Sequence, residues 1–287
     1  MGNILIIGGG PAGISAALYA VRGGLETTVI ATETSSLLKA KEIENYYGYE
    51  NPISGQELLD MGVKQAKRLG VTFLSEEVVG LSYTEKLTVT TKENQYMADA
   101  VIIATGSPRN TPKIRDLSRF EGTGVSYCAV CDGFFYKGKE VGVLGSGDYA
   151  IHEALELLPV AQKVTIFTNG EDLKGDLPGQ VLLDTRKIDG LEGDNVLQAI
   201  KMEDGEDVPL SGIFIAQGVA GSADLARKIG AETSGNRITV DAHMATNIPG
   251  LYAAGDCTGG MMQVAKAVYE GAEAATAALK FVREMVQ

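Results

Sequence analysis

An α/β fold of two parallel-sheet units, one inserted into the other, is predicted by three features of this 287-residue chain. An apolar run, Asn3–Ile7, leads straight into Gly8-Gly9-Gly10-Pro11-Ala12-Gly13. A second run, Glu140–Leu144, leads into Gly145-Ser146-Gly147-Asp148-Tyr149-Ala150. Near the C-terminus, Tyr252-Ala253-Ala254-Gly255-Asp256 reads as a strand end that returns to the first loop. Strand, glycine-rich turn and helix in that order mark a Rossmann-like unit. The first glycine makes the turn, the second lets backbone approach a diphosphate, and the third lets helix and strand come close. One unit duplicated in this way predicts a discontinuous first domain, residues 1–112 and 245–287, with residues 113–244 inserted.

Length and composition agree with that division. The chain is long enough for about two ordinary domains, and 45% apolar residues with 36 glycines suit an α/β protein rich in tight turns. No run of about 18 apolar residues occurs, so no membrane span is expected. The first strand begins at Asn3, which leaves no room for a signal peptide and predicts a cytoplasmic address. A net charge of −12 makes nucleic acid and anionic membranes poor partners. The excess is local: residues 140–244 hold 18 acids against 8 bases.

The elements follow in order. Ile14–Arg22 has helical spacing, with small residues where a helix must approach a sheet, and Glu26–Ala31 reads as the next strand. Asp60–Leu69 reads as an amphipathic helix, and Thr72–Leu74 begins a series of short strands reaching Thr91. Ala100–Ala104 is an apolar strand broken by Thr105-Gly106-Ser107-Pro108, and Pro108–Pro112 reads as a linker. In the second unit Lys163–Phe167 and Ile213–Ala216 are strands. Gln263–Val282 is an Ala-rich C-terminal helix.

Between the linker and the second unit stands Cys128-Ala129-Val130-Cys131-Asp132. Two cysteines at this spacing, on a turn or helix start, come within bonding range, and one thiol is acidified. Metal binding needs two more ligands, and only Cys257 and two histidines remain, with no second close pair. The motif therefore reads as redox chemistry. Asp132 is a candidate general acid–base, or alternatively a helix cap. Cys257 has no partner in the sequence and is expected to be a small buried residue.

The joint order of these motifs resembles the low-molecular-weight thioredoxin reductases, over essentially the whole chain. The resemblance implies FAD at the first loop, held by Gly8, Gly10, Pro11, Ala12 and Gly13, with Ala104-Thr105-Gly106 and Gly255-Asp256 returning to it. It also implies flavin contacts from Asn45, Val78 and Met262-Gln263-Val264, although the family has Arg where Met262 stands. The acid for the adenosine ribose is missing at the end of the strand Thr27–Ala31; Glu33, two residues later, is the candidate. By the same resemblance Cys131 exchanges electrons with the flavin, Cys128 attacks the thioredoxin disulfide, and Asp132 protonates the departing thiolate. A homodimer is implied, as are domains that rotate about Pro108–Pro112 and His243–Thr246.

The second loop departs from the NADPH-dependent pattern. Tyr149 stands where that pattern has a small residue, and His152 replaces an apolar or acidic one. Thr168-Asn169-Gly170-Glu171-Asp172-Leu173-Lys174 puts two acids where a 2′-phosphate needs cations. The unit then reads as a scaffold for the dithiol that is degenerate for NADPH, although Glu171 or Asp172 could accept from an NADH ribose. These departures resemble the ferredoxin-dependent flavin thioredoxin reductases, with a diflavin enzyme as a related reading. Ferredoxins are acidic, so docking predicts a basic patch, here Arg109, Lys113, Arg115, Arg119, Lys137 and Lys139.

Overall fold

The computed structural model describes residues 2–32, 35–83, 85–106, 112–218 and 221–285. Within them lie the helices α1 (Pro11–Arg22), α2 (Gly55–Arg68), α3 (Ala129–Asp132), α4 (Asp148–Leu157), α5 (Ser222–Arg227) and α6 (Val264–Met285). Two compact units emerge: Met1–Arg109 with Gly221–Gln287, and Asn110–Ala220.

The first unit is built on a five-stranded parallel sheet in the order Leu251–Ala253, Ala100–Ile103, Asn3–Ile7, Glu26–Ile30, Thr72–Leu74. Its central strands are apolar on both faces, as strands covered on both sides must be. Ile4, Ile6, Ile102 and Val29 join Ala16, Ala17 and Ala20 of α1 and Ala274, Ala275 and Ala278 of α6 in one core. A three-stranded antiparallel sheet, Val78–Tyr83, Leu87–Thr91 and Gln95–Ala98, is inserted before the Ala100 strand.

The second unit repeats this plan. Its parallel sheet runs Leu182–Asp184, Lys163–Phe167, Glu140–Leu144, Gly212–Ile215, Val125–Ser126, with the glycine-loop strand again in the centre. An antiparallel sheet, Ile188–Glu192, Ala199–Met202 and Asp207–Pro209, again precedes the fourth parallel strand. One strand has a different origin. The outermost strand beside Gly212–Ile215 comes from the chain before the loop, whereas in the first unit the corresponding strand arrives from the C-terminal segment.

The structure departs from the sequence reading in three places. The chain returns to the first unit at 220/221 rather than 244/245, because residues 221–244 pack there. Ser222 Oγ lies 2.7 Å from Thr105 Oγ1, Lys228 Nζ donates to the Val79 carbonyl at 3.0 Å, and Val240 and Met244 join the first core. Helix α2 starts at Gly55 rather than Asp60, since Ser54 and Glu57 form a reciprocal capping box. The antiparallel sheet at 188–209 was not anticipated. No described helix is long and apolar enough to cross a membrane.

Candidate functional site

The two loops make the same close approach to a neighbouring strand end. Gly8 has φ +111°, and a Cβ there would fall 2.3 Å from the Ala104 carbonyl oxygen. A Cβ on Gly145 would fall 2.1 Å from the Ala216 carbonyl oxygen. Both positions exclude any larger residue because the loop passes directly over a neighbouring strand end.

Around the first loop the predicted segments converge. Ala104 and Thr105 lie against Gly8, and Gly255 against the Ala12 side chain. Helix α1 starts with Pro11, which has no N–H to leave unsatisfied. No side chain caps it, and its first turn carries no acid. Among the described residues, a Cβ on Gly10 would meet nothing nearer than Ser35 Oγ at 3.8 Å, so those residues leave room beside the helix N-terminus for an anion.

The Gly255 turn is clamped from beneath. Glu270 Oε2 accepts from the Gly255 N–H at 2.8 Å and from Thr258 Oγ1 at 3.0 Å. Lys266 Nζ lies 3.0 Å from the same carboxylate and donates to the Gly255 carbonyl at 2.8 Å. Both side chains are largely buried, and each charge has a partner, as burial requires. Neither was anticipated. Their i,i+4 spacing on α6 was legible, but their reach to a turn eleven to fifteen residues earlier was not.

Asn45 Nδ2 donates to Gln263 Oε1 at 2.9 Å, which joins two of the expected flavin-contacting positions. Met262, between Met261 and that Gln263, is 66% exposed, and Val264 begins α6. Val78 is buried in the antiparallel sheet opposite Thr91, a different part of the unit from the loop. Asp256 opens the short turn after Gly255. Glu33 lies outside the described residues, as does Arg109.

Cys128 and Cys131 form a disulfide. Cys128 is the extended N-cap of α3, and its sulfur accepts from the Cys131 N–H at 3.2 Å. Ser126 organises the entry: its hydroxyl accepts from the Cys128 N–H at 3.1 Å and donates to Asp132 Oδ2 at 2.7 Å. Asp132 therefore faces Ser126 and makes no side-chain cap to the turn that follows, Gly133–Tyr136. Cys128 is buried, whereas Cys131 is exposed beside Val130, Phe134 and Phe135. From α4, Glu153 Oε2 accepts the Ala129 N–H at 2.8 Å. Ser126 and Glu153 carry no sequence signal, because only the folded sheet and α4 bring them to the cysteines.

The second loop holds a carboxylate of its own. Ser146 Oγ donates to Glu171 Oε2, and the Lys174 N–H donates to the Ser146 carbonyl at 2.7 Å. An acid, Asp148, also stands in the first turn of α4. Tyr149 has no exposed surface, so its ring is packed within the protein. Arg186 is bound by Asp184 at 2.7 Å, Glu206 at 2.7 Å and Asp204 at 3.2 Å. Two cations of the expected basic patch are engaged within the unit. Arg115 pairs with Asp189 at 2.5 Å, and Arg119 donates to the Gly193 and Asp194 carbonyls. Lys113, Lys137 and Lys139 remain exposed.

A family model described as pyridine nucleotide-disulphide oxidoreductase matches residues 2–271. A thioredoxin reductase of Aquifex aeolicus is 35% identical, over 98% of this chain and 93% of its own length. The chain belongs to the thioredoxin reductase family. Among solved structures, the atypical thioredoxin reductase TRi from Desulfovibrio vulgaris Hildenborough is 40% identical, with a TM-score of 0.93 over 99% of each chain. A ferredoxin-flavin thioredoxin reductase from Clostridium acetobutylicum is 30% identical, with a TM-score of 0.73 over 100% of this chain and 99% of that one.

FAD is the cofactor of these reductases, and the first unit fits it. The bare α1 terminus, the space beside Gly10 and the clamped Gly255-Asp256 turn supply a diphosphate cradle. Cys257 lies buried next to that turn, its thiol donating to the Ala254 carbonyl at 3.3 Å. Burial pushes that thiol up to about 12, which makes it a packing residue, as the sequence reading expected.

Proposed function

We propose that this reductase passes electrons, received one at a time from reduced ferredoxin, to the disulfide of thioredoxin, and uses neither NADPH nor NADH. The observation that carries this is the Glu171 carboxylate on the Ser146 hydroxyl, inside the loop where a pyridine nucleotide would place its diphosphate. A second negative charge about 4 Å away is opposed by about 1 kcal/mol in water and about 4 kcal/mol near a protein surface. Arg186, the cation beside the sheet edge, is already held by three acids.

Bound at the first loop, FAD supplies the conversion of single electrons into the pair that a disulfide needs. The protein groups do the rest. In the reduced dithiol, the family resemblance makes Cys128 the sulfur that meets thioredoxin and Cys131 the sulfur that exchanges electrons with the flavin. The Cys128 thiolate, at the N-cap of α3, attacks one sulfur of the thioredoxin disulfide, breaking it and forming a mixed disulfide. Cys131, within the same short helix, then attacks Cys128 Sγ; the 128–131 bond re-forms and thioredoxin leaves with both thiols. Asp132, oriented by Ser126, delivers the proton to the departing sulfur. The family resemblance also supports a homodimer, which sedimentation equilibrium checks.

The test is anaerobic. NADPH, NADH and chemically reduced ferredoxin are offered separately to the holoprotein while flavin absorbance and thioredoxin thiols are followed. Bleaching and thiol release are expected with ferredoxin alone. Rapid reduction by either nicotinamide overturns the proposal.

A further inference from the structure

Helix α4 follows the second glycine-rich loop, and it carries a buried acid that bonds the backbone beside Cys128. Glu153 is 1% exposed. Its Oε2 accepts the N–H of Ala129, the first residue of α3 and the neighbour of Cys128, at 2.8 Å. Gly133, directly after α3, sits against the Leu157 side chain one turn further along α4, where a Cβ would come 3.3 Å from Leu157 Cδ2. A carboxylate is costly to bury and is tolerated where hydrogen bonds hold it. At this position it does two things to the sulfurs. It takes up one of the N–H groups at the start of α3, the same helix start whose Cys131 N–H points at Cys128 Sγ. It also sets a negative charge one peptide bond from Cys128.

We propose that Glu153 is a positioning residue that makes the Cys128–Cys131 dithiol more reducing. The idea rests on the reading of that pair as the working dithiol, and it is independent of the electron donor. The reduced pair carries thiolate character, stabilised by N–H groups at a helix start. A neighbouring anion disfavours a second negative charge. Glu153 therefore raises the energy of the reduced form relative to the disulfide, which lowers the potential of the couple. Asp132, held by Ser126, is the other carboxylate at the motif and stays in place in the comparison below.

The experiment equilibrates the holoprotein with glutathione redox buffers at pH 7 and measures the fraction of dithiol, alongside the alkylation rate of the reduced protein by iodoacetamide. Glu153→Gln keeps an oxygen for the Ala129 N–H and removes the charge. It is expected to shift the equilibrium about tenfold toward the dithiol, equivalent to about 30 mV, and to speed alkylation severalfold. A merely structural role would leave both readouts unchanged in the Gln variant, and that result overturns the proposal. The second measurement needs no substitution at Glu153. The reduced-minus-oxidised infrared difference spectrum of the parent protein is expected to show a perturbed ionised carboxylate that persists in Asp132→Asn. Its absence also overturns the proposal. If the parent dithiol does not exchange with glutathione at all, the working-dithiol reading fails first and this inference falls with it. Normal exchange with an unshifted Gln variant removes only the role of Glu153.

Discussion

The two units of this protein share a sheet order and a glycine-rich turn, yet the charges and volumes around the two turns differ. In the first, α1 begins bare and acid-free, and α6 packs so closely on it that a Cβ on Gly271 would lie 2.1 Å from the Ala12 carbonyl oxygen. In the second, the residue at the place of Ala12 is Tyr149, fully buried, and the loop hydroxyl is bonded to Glu171. The comparison teaches that the Gly-x-Gly frame reports a strand–helix turn. Ligand binding depends on the charges and volumes around that turn, which the frame does not contain.

The sharpest way to break the comparison is to remove what the second unit still contributes. Cys131→Ser should lower thioredoxin reduction at least about a thousandfold, as loss of an essential nucleophile does, with FAD content unchanged by absorbance. Retained turnover would mean that the dithiol is not on the path. Cys131→Ser should also trap a mixed disulfide with thioredoxin through Cys128, visible on a non-reducing gel; trapping only by the Cys128→Ser variant would reverse the order of roles.

Matched substitutions at the turns come next. A Cβ on Gly8 would fall 2.3 Å from the Ala104 carbonyl oxygen, so Gly8→Ala is expected to destabilise by about 1–3 kcal/mol and to lose FAD. Gly145→Ala, with its Cβ 2.1 Å from Ala216 O, should destabilise by a similar amount and keep FAD. Equal loss of FAD from both variants, measured by absorbance ratio and thermal melts, would erase the functional asymmetry between the loops.

Charge reversal sharpens it from the other side. Glu171→Arg with Asp172→Arg should tighten NADPH binding about tenfold or more in a calorimetric titration, because two opposed charges become favourable. Adding Tyr149→Ser should not help. The ring is wholly buried, so removing it leaves a cavity that costs about 3 kcal/mol. NADPH binding improved by Tyr149→Ser alone would show that the ring, and not Glu171, closes the site.

The smallest effect is expected at His243, whose imidazole lies 2.7 Å from Glu273 on α6. The hydrogen bond to Glu273, then its charge, raise the histidine above its ordinary value. The folded value exceeds the unfolded one, so the pair stabilises fully below about pH 6.5, the unfolded value. That stabilisation is lost as pH rises through the folded value. Both salt and the exposure of the ring should keep it slight. A parent-minus-His243→Gln difference in Tm that grows with rising pH would contradict this sign.

Much of the architecture was legible before folding. Asn3–Ile7, Glu140–Leu144 and Ala100–Ile103 are continuous apolar runs because parallel strands are covered on both faces. Local rules sufficed even where the reading fell short: Ser54 with Glu57 spells a capping box that places the start of α2. The strands Ile188–Glu192 and Ala199–Met202 were harder, since they are short, their apolar residues are interrupted by charged ones, and a bulge shifts the register near Gly190. The basic residues near the cysteines were visible but their use was not. Arg115 reaches Asp189 across 74 positions, and no local pattern predicts such a partner.

By itself, then, the sequence determined the two glycine turns, the parallel strands, the dithiol and the chemical family, because steric necessity at a turn and the reactivity of paired thiols act over a few neighbouring residues. The tertiary structure alone decided where the inserted unit ends, which carboxylates meet which loops, which sulfur is exposed, and that Glu153 and Ser126 stand at the cysteines. Those outcomes depend on contacts between distant segments, whose free energy is set by the burial and pairing of groups only once the sheets have closed.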